Sequence, residues 1–385
     1  MEFDIGWILL GLPLAFVLGW LASRFDLRQL RLENRRAPKA YFRGLNYLLN
    51  EQQDQAIDAF IEAVQSDPDT SELHFALGNL FRRRGEYERA VRVHEHLLSR
   101  GDLSQTDRNR AQHALALDFL KAGLLDHAEK ALIKLEGTSF ETEARLALLA
   151  NYERSRDWAL AAEVASKLEN AQHGNFNQRL AHYLCEQAAA DLAHGQPDTA
   201  RQRLLEAIAK APDTARARMA LAKLQADAGE LPAAQQTLLD AMAHAPTAIP
   251  LMAGPLADIA LRLGDITQAL SRLKGLYEQG ASLDVLEAIV RLSANDPAAG
   301  VTAHDWYAGH LEREPSLVAA TRWIAGEKFE DEQFHPQVQR ALDQAIKPLL
   351  RYRCAACGFE ATQHFWQCPG CQTWDSYPAR RVEEL

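Results

Sequence analysis

"FRGLNYLLNEQQDQAIDAFIEAVQSDP" (Phe42–Pro68) lies over "ALGNLFRRRGEYERAVRVHEHLLSRGD" (Ala76–Asp102) at an offset of 34 residues. Gly44 falls on Gly78, Tyr47 on Phe81 and Ala56 on Ala90. Each match has a physical reason. Small residues let two antiparallel helices approach closely, the aromatic fills the gap between them, and a turn glycine ends the first helix. Outward from these two units, a turn glycine followed by an alanine recurs at Gly85 and Ala90, Gly123 and Ala128, Gly195 and Ala200, Gly229 and Ala234, and Gly264 and Ala269. "NYERSRDWALAAEV" (Asn151–Val164) supplies another unit, with Arg156 at the glycine position and Ala161 as the alanine. From Ala56 to Ala269 the alanines are spaced 34, 38, 33, 39, 34 and 35 residues apart. Prolines that cannot continue a helix follow the second helix at Pro68, Pro212 and Pro246.

A period this persistent is the pattern of the tetratricopeptide repeat. The fold class expected is all-α: an N-terminal single-pass transmembrane helix, a tetratricopeptide-repeat solenoid and a small C-terminal four-cysteine metal-binding knuckle. About seven units occupy residues 37–280, and residues 281–350 form degraded repeats or a helical cap. Stacked repeats leave a long groove that grips peptides or proteins and seldom catalyse. Tyr41, Leu45 and Leu48 from the first unit and Phe75, Asn79 and Arg82 from the second are the candidate partner-binding residues. The lysine and asparagine clamp of chaperone-tail receptors is missing. No catalytic residue is expected, since the chain has no phosphate-cradling glycine loop, no G-x-S-x-G elbow and no H-E-x-x-H pair. "HEH" (His94–His96) is not a metal site, because residues two apart on a helix point in different directions. His94 is expected to pack between helices and His96 to face solvent. Cys185 reads as a small buried hydrophobe.

The composition is that of a folded chain, with 47% hydrophobic and 24% charged residues among 385. A net charge of −10 argues against non-specific nucleic-acid binding. "IGWILLGLPLAFVLGWLA" (Ile5–Ala22) is eighteen residues without a charge, with Trp7 and Trp20 near its ends. A cleaved signal peptide would start basic, whereas Glu2 and Asp4 make this start acidic. Arg24, Arg28, Arg31, Arg35, Arg36 and Lys39 follow the apolar run, which by the positive-inside rule keeps the remainder in the cytoplasm. Residues 1–23 are therefore expected to be an uncleaved anchor and 24–36 a basic juxtamembrane linker.

Four of the five cysteines fall in "RCAACGFEATQHFWQCPGCQTW" (Arg353–Trp374). Cys354 with Cys357 and Cys368 with Cys371 form two C-x2-C pairs with ten residues between. Two such knuckles close a tetrahedral thiolate cage around one metal ion, zinc or iron, and Gly358 and the "CPGC" turn suit that geometry. The spacing is shorter than in electron-carrying rubredoxins, which favours a structural site. Phe359, Phe365, Trp366, Trp374 and Tyr377 give the knuckle more apolar surface than it can bury alone. It is expected to dock on the end of the helical array.

In this order of anchor, repeats and cysteine tail, the chain resembles the lipopolysaccharide assembly protein B (LapB, YciM) family. The resemblance is most specific at "GLNYLLNEQQDQAID", "LGNLFRRRGEYERAVRVHEHLL" and "RYRCAACGF…WQCPGCQTW". It implies a non-enzymatic inner-membrane protein with a periplasmic N-terminus and cytoplasmic tetratricopeptide and rubredoxin-like (351–385) domains. It also implies an adaptor for the membrane protease FtsH that promotes degradation of the deacetylase LpxC, opposed by the membrane protein PbgA (YejM). Carried onto this sequence, the metal ligands are Cys354, Cys357, Cys368 and Cys371. Two alternatives remain: a scaffold for lipopolysaccharide assembly or transport machinery, and a rubredoxin-type electron carrier.

Overall fold

The computed structural model describes residues 16–17, 20, 39–66, 70–171, 174–295, 300–327 and 334–385. The expected anchor lies outside these, except that Phe16, Val17 and Trp20 are helical and exposed. Among the described residues no helix is long and apolar enough to cross a membrane. The chain divides into two compact units, Met1–Val164 and Ala165–Leu385.

In the first unit, helix α1 (39–49) precedes α2 (Gln53–Ser66), and α3 (Ser71–Arg83), α4 (Tyr87–Ser99), α5 (Gln105–Ala122), α6 (Leu125–Ile133) and α7 (Glu141–Ser155) follow in hairpins. The helices of a hairpin touch where one has almost no side chain. A Cβ on Gly44 would lie 2.9 Å from the Phe60 ring, and one on Gly78 2.5 Å from His94 Nε2. Phe60 and His94 occupy the same position of successive repeats, and both are fully buried. His94 Nδ1 lies 2.5 Å from Asp118 Oδ2, while His96 is exposed. The alanines Ala56, Ala90, Ala128 and Ala161 are all 0% exposed, so each is a contact point that tolerates only a methyl group.

The turns close alike. Gly123 takes φ 77°, and Leu124 N–H reaches back to Phe119 O at 2.9 Å, the hydrogen bond that satisfies a helix's last carbonyls. Arg156 adopts the same left-handed conformation at φ 60°, with Asp157 N–H donating to Tyr152 O at 2.9 Å. The turn is retained without its glycine.

α8 (Trp158–Asn170) lies across the division between the units. The second unit continues with α9 (Asn177–Ala193), α10 (Pro197–Lys210), α11 (Ala215–Asp227), α12 (Leu231–His244), α13 (Ile249–Leu263) and α14 (Ile266–Gln279). Pro212 and Pro246 each follow a helix by two residues; Pro68 lies outside the described residues. Residues 281–350 hold α15 (Leu283–Ser293), α16 (Ala303–Arg313), α17 (Leu317–Ile324) and α18 (His335–Ile346). α15 packs on both α13 and α14, and one apolar core runs from Ala215 through Leu256 and Leu286 to Ile346. The degraded segment thus shares a core with the regular repeats.

Gly78→Ala should destabilise the first unit by about 1–3 kcal/mol, because the buried His94 ring must move. Gly275→Ala, in α14 with nothing within 4 Å of the added Cβ, should stabilise by about 0.4–1 kcal/mol. Urea melts followed by far-ultraviolet circular dichroism would compare the two.

Candidate metal centre

After α18 the chain forms a ribbon. Strand β1 (Tyr352–Arg353) pairs antiparallel with β2 (Glu360–Ala361), and Gln367 bridges to Trp374. The two cysteine pairs sit in matching knuckles. Cys354 N–H donates to Phe359 O at 2.9 Å and Gly358 N–H to Cys354 O at 2.9 Å. In the second knuckle Cys368 N–H donates to Thr373 O at 3.0 Å and Gln372 N–H to Cys368 O at 2.8 Å. Gly358 (φ 76°) and Gln372 (φ 62°) take the left-handed conformation that each turn requires. Glycine signals the first turn in the sequence; glutamine hides the second.

The four Sγ atoms lie within 4.8 Å of one another. Cys354 Sγ is 3.8 Å from Cys371 Sγ, and Cys357 Sγ is 3.7 Å from Cys368 Sγ. Four thiolates at ~2.3 Å from a tetrahedral ion stand about 3.8 Å apart, so the cage fits one metal ion. Burial opposes ionisation of Cys354, but its hydrogen bonds with the Ser376 hydroxyl and the Cys357 and Ala356 amides bring it down to about 6. The Thr373 hydroxyl and amide hold Cys371 low as well. The Phe359 amide favours the Cys357 thiolate, yet desolvation and the three neighbouring sulfurs push it up to about 12. Four thiolates this close need a cation among them. Such an ion ties the knuckles together. Cys354 and Cys368 are buried, whereas Cys357 and Cys371 are exposed.

The ribbon does not sit on the end of the array. It lies along the first helices of successive repeats, and each helix contributes a residue at the same repeat position. His182 of α9 stacks on Trp374 (ring centroids 4.7 Å apart), and its Nε2 lies 2.8 Å from Asp375 Oδ2. Arg216 of α11 stands 5.7 Å above the Trp374 ring. Leu251 of α13 packs into the ribbon's core of Tyr352, Cys354, Cys368 and Tyr377. Asp284 of α15 receives Arg381, whose Nη2 is 2.7 Å from its Oδ1. These four residues are 34, 35 and 33 positions apart. Arg381 also donates to Leu350 O at 2.8 Å and covers the Tyr352 ring at 4.2 Å. Glu383 accepts from the first amides of α17, including Val318 N at 3.1 Å, and Glu384 accepts from Leu283 N at 2.9 Å. Two helix N-termini are thereby capped from the ribbon.

The six groove candidates of the first unit are more enclosed than expected. Tyr41, Leu45 and Leu48 are partly buried against the core around Phe60. Phe75 is a correction: at 1% exposure it packs on Leu97 and Ala111 and has no surface left for a partner. Arg82 bonds Asp118 Oδ1 (2.8 Å) and Asn79 Oδ1 (2.5 Å), tying α3 to α5. Cys185 is buried, which pushes its thiol up to about 11. The four docking residues His182, Arg216, Leu251 and Asp284 escaped sequence reading. Their repeat spacing was visible, but their different side chains conceal a common role.

Residues 352–377 match the family model described as rubredoxin metal binding domain, and residues 43–93 and 191–259 match tetratricopeptide repeat models. Lipopolysaccharide assembly protein B of Escherichia coli (strain K12) is 28% identical over 97% of this chain and 98% of its own length. The chain resembles that protein from end to end. The Haemophilus influenzae protein of the same name is 26% identical, over 95% of this chain and 96% of its own. A tetratricopeptide repeat protein of Parabacteroides merdae is a looser structural likeness, 15% identical with a TM-score of 0.35, covering 67% of this chain and 99% of its own.

Metal removal by a chelator, or Cys368→Ser, should take metal content from one ion per chain to none. Trp374 would then leave His182, red-shifting tryptophan emission while the helical circular dichroism persists. Arg381→Ala leaves the largely buried Asp284 without its partner and should cost about 2–3 kcal/mol, read as earlier release of the ribbon in hydrogen exchange.

Proposed function

We propose that the chain is a membrane-tethered, non-catalytic adaptor in lipopolysaccharide assembly. It holds a client on its repeat helices at the cytoplasmic face of the inner membrane and presents it to the membrane protease FtsH. The client is the deacetylase LpxC, and PbgA (YejM) opposes the presentation. The observation that carries this reading is the likeness to lipopolysaccharide assembly protein B along the whole chain, repeats and ribbon together. Repeat helices offer a binding surface, and the metal ribbon braces it. The tether rests on the uncharged Ile5–Ala22 run and the arginines after it. Anchoring raises the effective concentration of a bound client beside a membrane protease.

Loss of the protein should lengthen the half-life of the deacetylase several-fold without changing its synthesis, as measured by immunoblot after translation is blocked. An unchanged half-life would sink the proteolytic role. Affinity capture from membranes in mild detergent should recover FtsH; recovery of lipopolysaccharide assembly or transport proteins with no protease would favour a scaffold. Deleting residues 1–23 should give soluble, helical protein that no longer shortens the half-life.

A further inference from the structure

Beside the ribbon, α11 and α13 leave a cavity of about 430 Å³. Met219, Ala220, Leu238, Pro255 and Ile259 line it with apolar surface, and Trp366 of the ribbon forms one wall. That volume falls in the ~300–1,000 Å³ range of pockets that enclose small ligands, and it accommodates one or two large side chains. Two of its cations, Lys223 and Arg262, are exposed. The other charges of the pocket are matched. Asp258 pairs with Arg291 at 3.0 Å and Arg216 with Glu186 at 2.5 Å. Arg262 donates to Ala226 O at 2.8 Å, and no carboxylate of the described residues pairs with it or with Lys223. An apolar floor flanked by two uncompensated positive charges stands out in a chain of net charge −10.

The ribbon itself shows what this face of the helices accepts. One repeat earlier, Trp374 lies on His182 and beneath Arg216, while the adjacent Asp375 accepts from Gln178 Nε2 at 2.9 Å. An apolar side chain followed by a carboxylate is thus already bound there, from within the same chain. We propose that the α11–α13 pocket takes an equivalent pair from a client: an aliphatic or aromatic side chain against Met219, Ile259 and Trp366, with a neighbouring aspartate or glutamate on Lys223 and Arg262. The metal ribbon is then part of the binding site as well as its brace. The inference rests on the adaptor function and names the peptide chemistry that this function uses.

The full chain in detergent, panned against a position-scanned peptide array, should select an apolar residue with Asp or Glu within three positions. Lys223→Glu with Arg262→Glu changes two exposed side chains, and the second gives up the Arg262 bond to Ala226 O, so its fold is checked by circular dichroism. This double variant should bind the selected peptides at least about tenfold more weakly and should itself select Lys or Arg. Trp366→Ala should also weaken binding, in protein shown by elemental analysis to retain its metal. Unchanged affinity in the charge-reversed variant, or selection without acidic residues, overturns the proposal. Self-association of the wild type that the charge reversal abolishes would put a second copy of the chain in the pocket and overturn it equally. If the charge-reversed variant still captures the client at wild-type strength, the pocket assignment falls and the adaptor function stands. If the wild type captures no client, the adaptor function itself falls.

Discussion

Two helices of a repeat can pack closely only where one of them presents little more than backbone. Gly78 lies beneath the His94 ring so tightly that a single added carbon would collide with it, and Gly44 repeats the arrangement beneath Phe60. Buried alanines make the second contact of each hairpin, from Ala56 to Ala269. Close packing of this kind leaves no slack, so each hairpin must turn at a set point in a set conformation. Arg156 shows how strong that demand is: it accepts a left-handed backbone that costs a side-chain-bearing residue about 1–2 kcal/mol. The packing around it outweighs that cost.

Stacked hairpins free one face of their first helices, and in the second unit the ribbon takes part of it. The ribbon's own core of Tyr352, Cys354, Cys368 and Tyr377 is small, and it is braced from both sides. The four sulfurs, with a metal ion between them, would hold it from within, and Leu251, His182 and Asp284 hold it from without. Arg381, Glu383 and Glu384 extend the attachment by satisfying a carboxylate and two helix N-termini. Cys357 and Cys371 stay exposed in this arrangement. A metal ion in this cage would fix the ribbon, which carries Trp366 to the edge of an apolar pocket.

Much of this was legible beforehand because it is local. The turn positions, the buried alanines, His94 as a packing residue and the four ligands each follow from spacing within some 30 residues, where helical and knuckle geometry leave few alternatives. Phe75 was misjudged for a complementary reason. Its place on the helix was read correctly, but Leu97 and Ala111 cover it, and they belong to other helices. Gln372 shows the same limit at the second knuckle, where the ring of bonds around Cys368 imposes a backbone that the residue does not prefer.

By itself the sequence determined the repeat, its period, and a cage for one metal ion, since these depend on residues close together in the chain. Only the tertiary structure decided where the ribbon lies and what surface it completes. His182 and Asp375 are 193 residues apart, and Asp284 and Arg381 are 97. Contacts across such distances arise from the sum of helix rotations along the stack, which no local pattern encodes.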